Sequence, residues 1–141
     1  MTEFIKFFSS LEFLPEMHRW IRDKLKRVSL SSSEKNKLEV ACEEIFVNII
    51  SYAYGEEEGE IEISFNLTPQ LVSFAFKDKG KEFNPLKKEK PLIKSLSVDS
   101  KDIGGLGIFF VKSIVDKIDY QYVNGSNILT ISKNLFSYKK T

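Results

Sequence analysis

Glu44 and Asn48 stand four residues apart in a stretch where Leu38, Ala41, Cys42, Ile45, Phe46, Ile49 and Ala53 recur at the i, i+3, i+4, i+7 spacing. That periodicity predicts a long helix ending near Tyr54 with one strongly apolar side. The four-residue spacing stacks the carboxylate and the amide on one flank of it. Val40 and Val47 are their neighbours there, so the pair is expected off the most solvated side. A carboxylate so placed can take a proton from a hydroxyl, and an amide oxygen can help to hold a hydrated Mg²⁺. Taken alone, the same pair also fits a solvated helix edge. Glu43 is a rival carboxylate, but its spacing to Asn48 does not put the two on one helical face.

Two further motifs have chemistry of their own. Asp78-Lys79-Gly80 closes an alternating apolar segment. An Asp at a strand end can accept a hydrogen bond from an exocyclic amine, and a glycine beside it lets a flat ring lie against the backbone. Gly104-Gly105-Leu106-Gly107 precedes a helical stripe of Ile108, Val111, Val115 and Ile118. Read as a turn opening a helix, it would present backbone N–H groups and a helix N-terminus to an anion. Either motif alone is also compatible with a plain joint between elements. Their order along the chain and their distances from Glu44 and Asn48 make the set more specific than its parts.

The elements that must position these residues read clearly. Phe4–Phe8 is short, apolar and β-prone. Leu14-Pro15 opens a helix whose apolar face is Leu14, Met17, Ile21, Leu25 and Val28, with a basic face expected in solvent and no catalytic or metal role for the single histidine, His18. Ser31 followed by Glu34 is a capping-box signature before the central helix, and Gly55 ends that helix. Ile61, Ile63, Phe65 and Leu67, then Val72, Phe74 and Phe76, alternate around Thr68-Pro69-Gln70 as a hairpin. Residues 85–103, with Pro85, Pro91 and several lysines, show no sustained period and read as a lid-like loop. Tyr120–Val123 and Ile128–Ile131 flank Asn124-Gly125, a strong hairpin signal. Helices beside hairpin-linked strands predict an α+β fold. It is a two-layer sandwich with a mostly antiparallel (mixed) sheet and helices on one face.

The 141 residues fit one domain, 1–141. With 42% hydrophobic and 29% charged residues the composition is that of a soluble globule with a real core, and a net charge of +1 points to neither nucleic acid nor membrane as partner. The lone Cys42, on the apolar stripe, cannot form a disulfide within the chain and reads as core filler. The N-terminus lacks a signal-peptide pattern and no apolar run spans a bilayer, so a cytoplasmic protein is expected.

Glu44-x-x-x-Asn48, Asp78-x-Gly80 and Gly104-Gly105-Leu106-Gly107 resemble the N box, first glycine box and second glycine box of the GHKL (Bergerat-fold) ATP-binding superfamily. Within it the chain is most similar to the bacterial anti-sigma factor serine/threonine kinases, through Leu38–Glu44, Ala53-Tyr54 and Phe83-Asn84-Pro85. The resemblance implies ATP and Mg²⁺ as cofactors. It implies Glu44 as general base, Asn48 as Mg²⁺ ligand and Asp78 as reader of the adenine amine. Gly80 would make room for the base, residues 85–103 would form an ATP lid, and the box from Gly104 to Gly107 with Leu106 would hold the phosphates. It implies an anti-sigma factor antagonist as substrate, a sigma factor as binding partner and a homodimer. A nucleotide-dependent sigma-factor binder with little or no kinase activity is the alternative. Tyr52, Glu82 and Gly125-Ser126-Asn127 differ from the pattern, where His, Gly and Gly-Thr-Thr are common. No Gly-Lys-Ser/Thr of a Walker P-loop occurs.

Overall fold

The computed structural model describes residues 2–87 and 100–135, with the backbone alone for 100–106. In chain order the elements are β1 (Thr2–Phe8), α1 (Leu14–Leu25), α2 (Ser32–Asn48), β2 (Glu60–Leu67), β3 (Leu71–Asp78), α3 (Ser100–Ile114), β4 (Lys117–Val123) and β5 (Ser126–Asn134). The five strands form one sheet in the order β1-β2-β3-β5-β4. Every pairing is antiparallel, so the parallel component of the expected mixed sheet is not found among the described residues. The reason is connectivity. Two tight hairpins supply β2–β3 and β4–β5, and β1 and β5 each add antiparallel to a hairpin edge.

One sheet face is apolar because the strands alternate: Ile61, Ile63 and Phe65 on β2, Phe74 and Phe76 on β3, and Ile131 on β5 are all buried. The three helices cover that face with Met17, Ile21 and Leu25, the whole predicted α2 stripe, and Ile108 and Val111. Each such fully buried side chain contributes roughly 1.5–3 kcal/mol. Cys42 is within this core, as its position on the stripe implied. The basic face of α1 is less solvated than expected: Lys24 is buried, its Nζ donating to Glu3 Oε1 at 2.7 Å and lying over the Trp20 ring.

Helix α2 begins where the capping residue sits, with Ser31 Oγ accepting the Glu34 N–H at 3.1 Å. It ends in a wider π turn over Ile49–Tyr54, closed by a Gly55 N–H to Ile50 carbonyl bond of 3.0 Å, with Gly55 at φ +61°. Such turns recur near functional sites. This one delivers Tyr54 to the sheet, where its hydroxyl donates to the Glu60 carbonyl at 2.6 Å and accepts the Lys79 N–H at 3.0 Å. The end of α2 is thereby tied to both strands of the β2–β3 hairpin. At the second hairpin Asn124 and Gly125 both have positive φ, as a tight two-residue turn requires.

One expectation is corrected here. Gly104-Gly105-Leu106-Gly107 does not form the turn that opens α3; the helix starts at Ser100 and the motif lies inside it. Glycine costs up to about 1 kcal/mol in a helix interior, so propensity argues for a break there. At Gly107 a tertiary contact overrides it. The stretch 88–99 of the expected lid lies outside the described residues. Among the described residues no helix is long and apolar enough to cross a membrane.

Candidate nucleotide site

The predicted residues of α2 face a common edge of the sandwich. Asn48 is buried at 5% exposure and Glu44, one turn earlier, is half-buried. Val40, one turn earlier again, is exposed, so the flank runs from solvent into the core over two turns. Burial first, and then the neighbouring Glu43 charge, push the Glu44 carboxyl above its ordinary range. Glu43 itself turns away toward α1, where its Oε1 meets His18 Nε2 at 2.5 Å. The other ring nitrogen, Nδ1, meets Glu39 Oε2 at 2.6 Å, and Arg22 also binds Glu39. His18, for which no catalytic or metal role was expected, is a structural bridge between helices.

Helix α3 crosses α2 at Gly107. A Cβ there would lie 2.1 Å from Glu44 Oε1, so only a glycine lets the α3 backbone come against this carboxylate. The structure thus brings the second glycine motif to Glu44 along the side of a helix rather than at its tip. The backbones of Gly104, Gly105 and Leu106 precede this contact in the same helix.

Asp78 closes β3 and is 3% exposed. Its Oδ1 accepts the Gly80 N–H at 2.9 Å and the Asn127 Nδ2–H at 2.9 Å. Burial pushes its carboxyl up, and these two donors pull it back in part. Gly80 has a packing duty as well: a Cβ there would lie 2.5 Å from the Ala53 carbonyl oxygen, and the adjacent Lys81 N–H donates to that oxygen at 2.9 Å. The glycine lets the loop after β3 rest on the end of the π turn.

Asn48 and Asp78 line one recess, together with Phe76, Phe83, Tyr120 and Asn127. Its volume is about 20 Å³, room for a single water and too small for a purine. Phe83, stacked on Tyr52 with ring centroids 5.3 Å apart, is one of the groups that narrow it. Sequence reasoning gave Tyr120 no part in this site, and it noted Gly125-Ser126-Asn127 only as a departure from the family pattern. Asn127 faces Asp78 across the β3–β5 pairing, a register that no local pattern announces.

The donor set also fits a hard cation held mainly by others. Among the described residues no cluster of three or more His, Cys, Asp or Glu side chains can hold a metal. A single buried Asn oxygen suits Mg²⁺, which keeps several waters and binds through one or two protein ligands plus phosphates.

Residues 7–133 match the family described as the histidine kinase-like ATPase domain. The serine-protein kinase RsbW of Bacillus thuringiensis is 28% identical over 106 residues, covering 73% of this chain and 66% of that protein. The serine-protein kinase RsbW of Bacillus subtilis is 26% identical over 106 residues, covering 72% and 66%. The chain therefore spans about two thirds of the length of these relatives. Among solved structures, the RsbU and RsbW domains of Rv1364c from Mycobacterium tuberculosis superpose with a TM-score of 0.65 at 13% identity, over 100% of this chain and 34% of that one. The histidine kinase AdeS of Acinetobacter baumannii gives 0.56 at 14% identity, over 96% and 68%.

Proposed function

The chain belongs to the histidine kinase-like ATPase domain family, and from that premise we propose that it is an ATP-dependent protein serine/threonine kinase acting on a small anti-sigma factor antagonist, and that it also binds a sigma factor. Asp78 reads the adenine amine. Asn48 holds Mg²⁺, which supplies neutralisation of phosphate charge when bound. The α3 backbone from Gly104 to Gly107, with Leu106, faces the phosphates, and Gly80 leaves space beside the base. Glu44 accepts the proton of the attacking hydroxyl as its oxygen bonds to the γ-phosphorus and the bond from that phosphorus to ADP breaks. In such transfers positioning and charge neutralisation supply most of the acceleration, and one base of raised pKa is what the protein must add.

The observation that carries this reading is the contact of Gly107 with Glu44 one turn from Asn48, which itself shares a recess with Asp78. Base reader, metal ligand and proton acceptor thus follow one another along a single edge. The serine-protein kinase names of the relatives support the reaction class.

The test is incubation of the purified chain with γ-labelled ATP, Mg²⁺ and a small antagonist protein from the same genome. Label on a serine or threonine of the antagonist, abolished by Glu44→Gln, is the expected result. ATP binding without transfer would replace this reading by that of a nucleotide-dependent sigma-factor binder.

A further inference from the structure

Asn127 is 4% exposed and makes four hydrogen bonds. Its Nδ2 donates to Asp78 Oδ1 at 2.9 Å and to the Lys81 carbonyl at 2.9 Å. Its Oδ1 accepts the Phe83 N–H at 3.0 Å and the Tyr120 hydroxyl. The orientation of the amide follows from the backbone: only the nitrogen can face a carbonyl, and only the oxygen can face an N–H. Both donors and both lone pairs are then used, so the side chain cannot rotate without leaving buried groups unpaired. Asp78 is consequently held in one pose. Its Oδ1 carries two N–H donors, from Gly80 and Asn127, and among the described residues Oδ2 carries none.

We propose that Asn127 is a positioning residue for base recognition: it commits one oxygen of Asp78 to the protein and leaves the other for the amine of a 6-aminopurine, so that the chain selects adenine over 6-oxopurine nucleotides. The inference rests on the nucleotide-binding reading above. A 6-amino group donates a hydrogen bond to the remaining oxygen. A 6-oxo group presents lone pairs to it, and a site built to pair with a donor rejects the analogue that lacks one. Were Asp78 free to turn, its acceptor would not be fixed opposite the 6-position; it could accept the N1–H of a 6-oxopurine instead, and the discrimination would fall. Asn127 also ties Lys81 and Phe83 to β5, so a role as a simple loop latch is the competing explanation. A latch weakens all nucleotides alike.

The experiment measures dissociation constants for ATP and ITP on the full chain and on four variants: Asn127→Ala, Asn127→Asp, Asp78→Asn, and Asp78→Asn combined with Asn127→Ala. Asn127→Asp keeps size and both acceptor contacts but removes both donors and sets a carboxylate oxygen against Asp78 and the Lys81 carbonyl, so the side-chain amide resonances of the unmutated protein supply the readout that no folding defect can mimic. The parent is expected to prefer ATP. Each Asn127 variant should bind ATP about ten- to a hundredfold more weakly, the loss expected for a hydrogen bond to a charged group, with a smaller effect on ITP. In the Asp78→Asn background, Asn127→Ala should cause no further loss of preference. Without any mutation, the Asn127 side-chain amide resonances should shift on addition of ATP and stay in place with ITP. Equal losses for both nucleotides, additive effects, or amide resonances that ignore ATP overturn the proposal and leave the kinase reading standing. A parent that binds neither nucleotide overturns both.

Discussion

Glu44 sits in a place that disfavours charge. It is half-buried, Glu43 is its chain neighbour, and its carboxyl is pushed up accordingly. A base whose pKa moves toward the working pH serves proton transfer better, at a cost in stability. The sign is definite. A carboxyl with a raised folded pKa contributes stability that is fully present below its unfolded value and is lost as pH rises through the folded one. Glu44→Gln should therefore raise the melting temperature at pH 7 and leave it unchanged near pH 3, while slowing phosphate transfer about 10²–10⁴-fold with ATP binding kept. Melting curves at the two pH values and transfer rates check this; a lower melting temperature at pH 7 counts against it. Glu43→Gln should be mild on transfer, since that side chain is engaged by His18 and an amide oxygen can still accept there. The flank shared by Glu44 and Asn48 was legible because helical periodicity alone decides it. Asn127 was not, because its partner is fixed by the pairing of strands 49 positions apart in the chain.

At the scale of elements, two glycines do different work. A side chain at Gly80 meets backbone, the Ala53 carbonyl, whereas one at Gly107 meets the far end of a flexible side chain, Glu44. Backbone cannot step aside without parting two elements, so Gly80→Ala should cost about 1–3 kcal/mol or more, as overpacking does. Gly107→Ala should cost less, because Glu44 can swing away and alanine gains about 1 kcal/mol of helix propensity. Its penalty falls on function: with the Glu44 carboxylate displaced, transfer should be lost while the fold persists. Denaturant melts and transfer assays on both variants measure the contrast; a larger stability loss for Gly107→Ala would reverse the assignment. The same contact explains why the glycine motif reads as a turn from sequence yet lies within α3. Propensity registers the missing side chains, but at Gly107 the reason is a neighbouring helix that is remote in sequence. Elements fixed by local chemistry, such as the Ser31 cap, the alternating hairpin strands and the Asn124-Gly125 turn, could be read directly.

Over the whole molecule, carboxylates fall into two sets with opposite electrostatics. Glu44 and Asp78, at the site, are pushed up chiefly by burial. Glu3 and Glu39, on the far structural seams, are held down. For Glu39, burial alone would raise the value, but hydrogen bonds from Arg22 and His18 outweigh it. For Glu3, the hydrogen bond from Arg27 and then that from Lys24 bring the carboxyl down to about 2. Those bonds, at 2.7 Å each, fasten the edge strand β1 to the end of α1. The signs follow from linkage. The site carboxylates lose stability as pH rises, so protonating them on acidification from neutral is favourable. The seam carboxylates contribute stability above the unfolded value of 4.5, and for Glu3 it is lost as pH falls from there to about 2. Two limbs follow: the burden of the site carboxylates eases as they take up protons on acidification, and the support from Glu3 is lost as pH falls below 4.5. Glu3→Gln isolates the second limb. It should melt below the parent at pH 7, and the gap should close between pH 4.5 and about 2, where the parent's own Glu3 becomes neutral. Thermal melts of both proteins across pH 2–7 decide the matter. Equal melting of the two proteins at pH 7 would mean that β1 is fastened by packing of Phe7 and Ile5 rather than by charge, and a gap that persists unchanged at pH 2 would mean that Glu3 acts by something other than its charge.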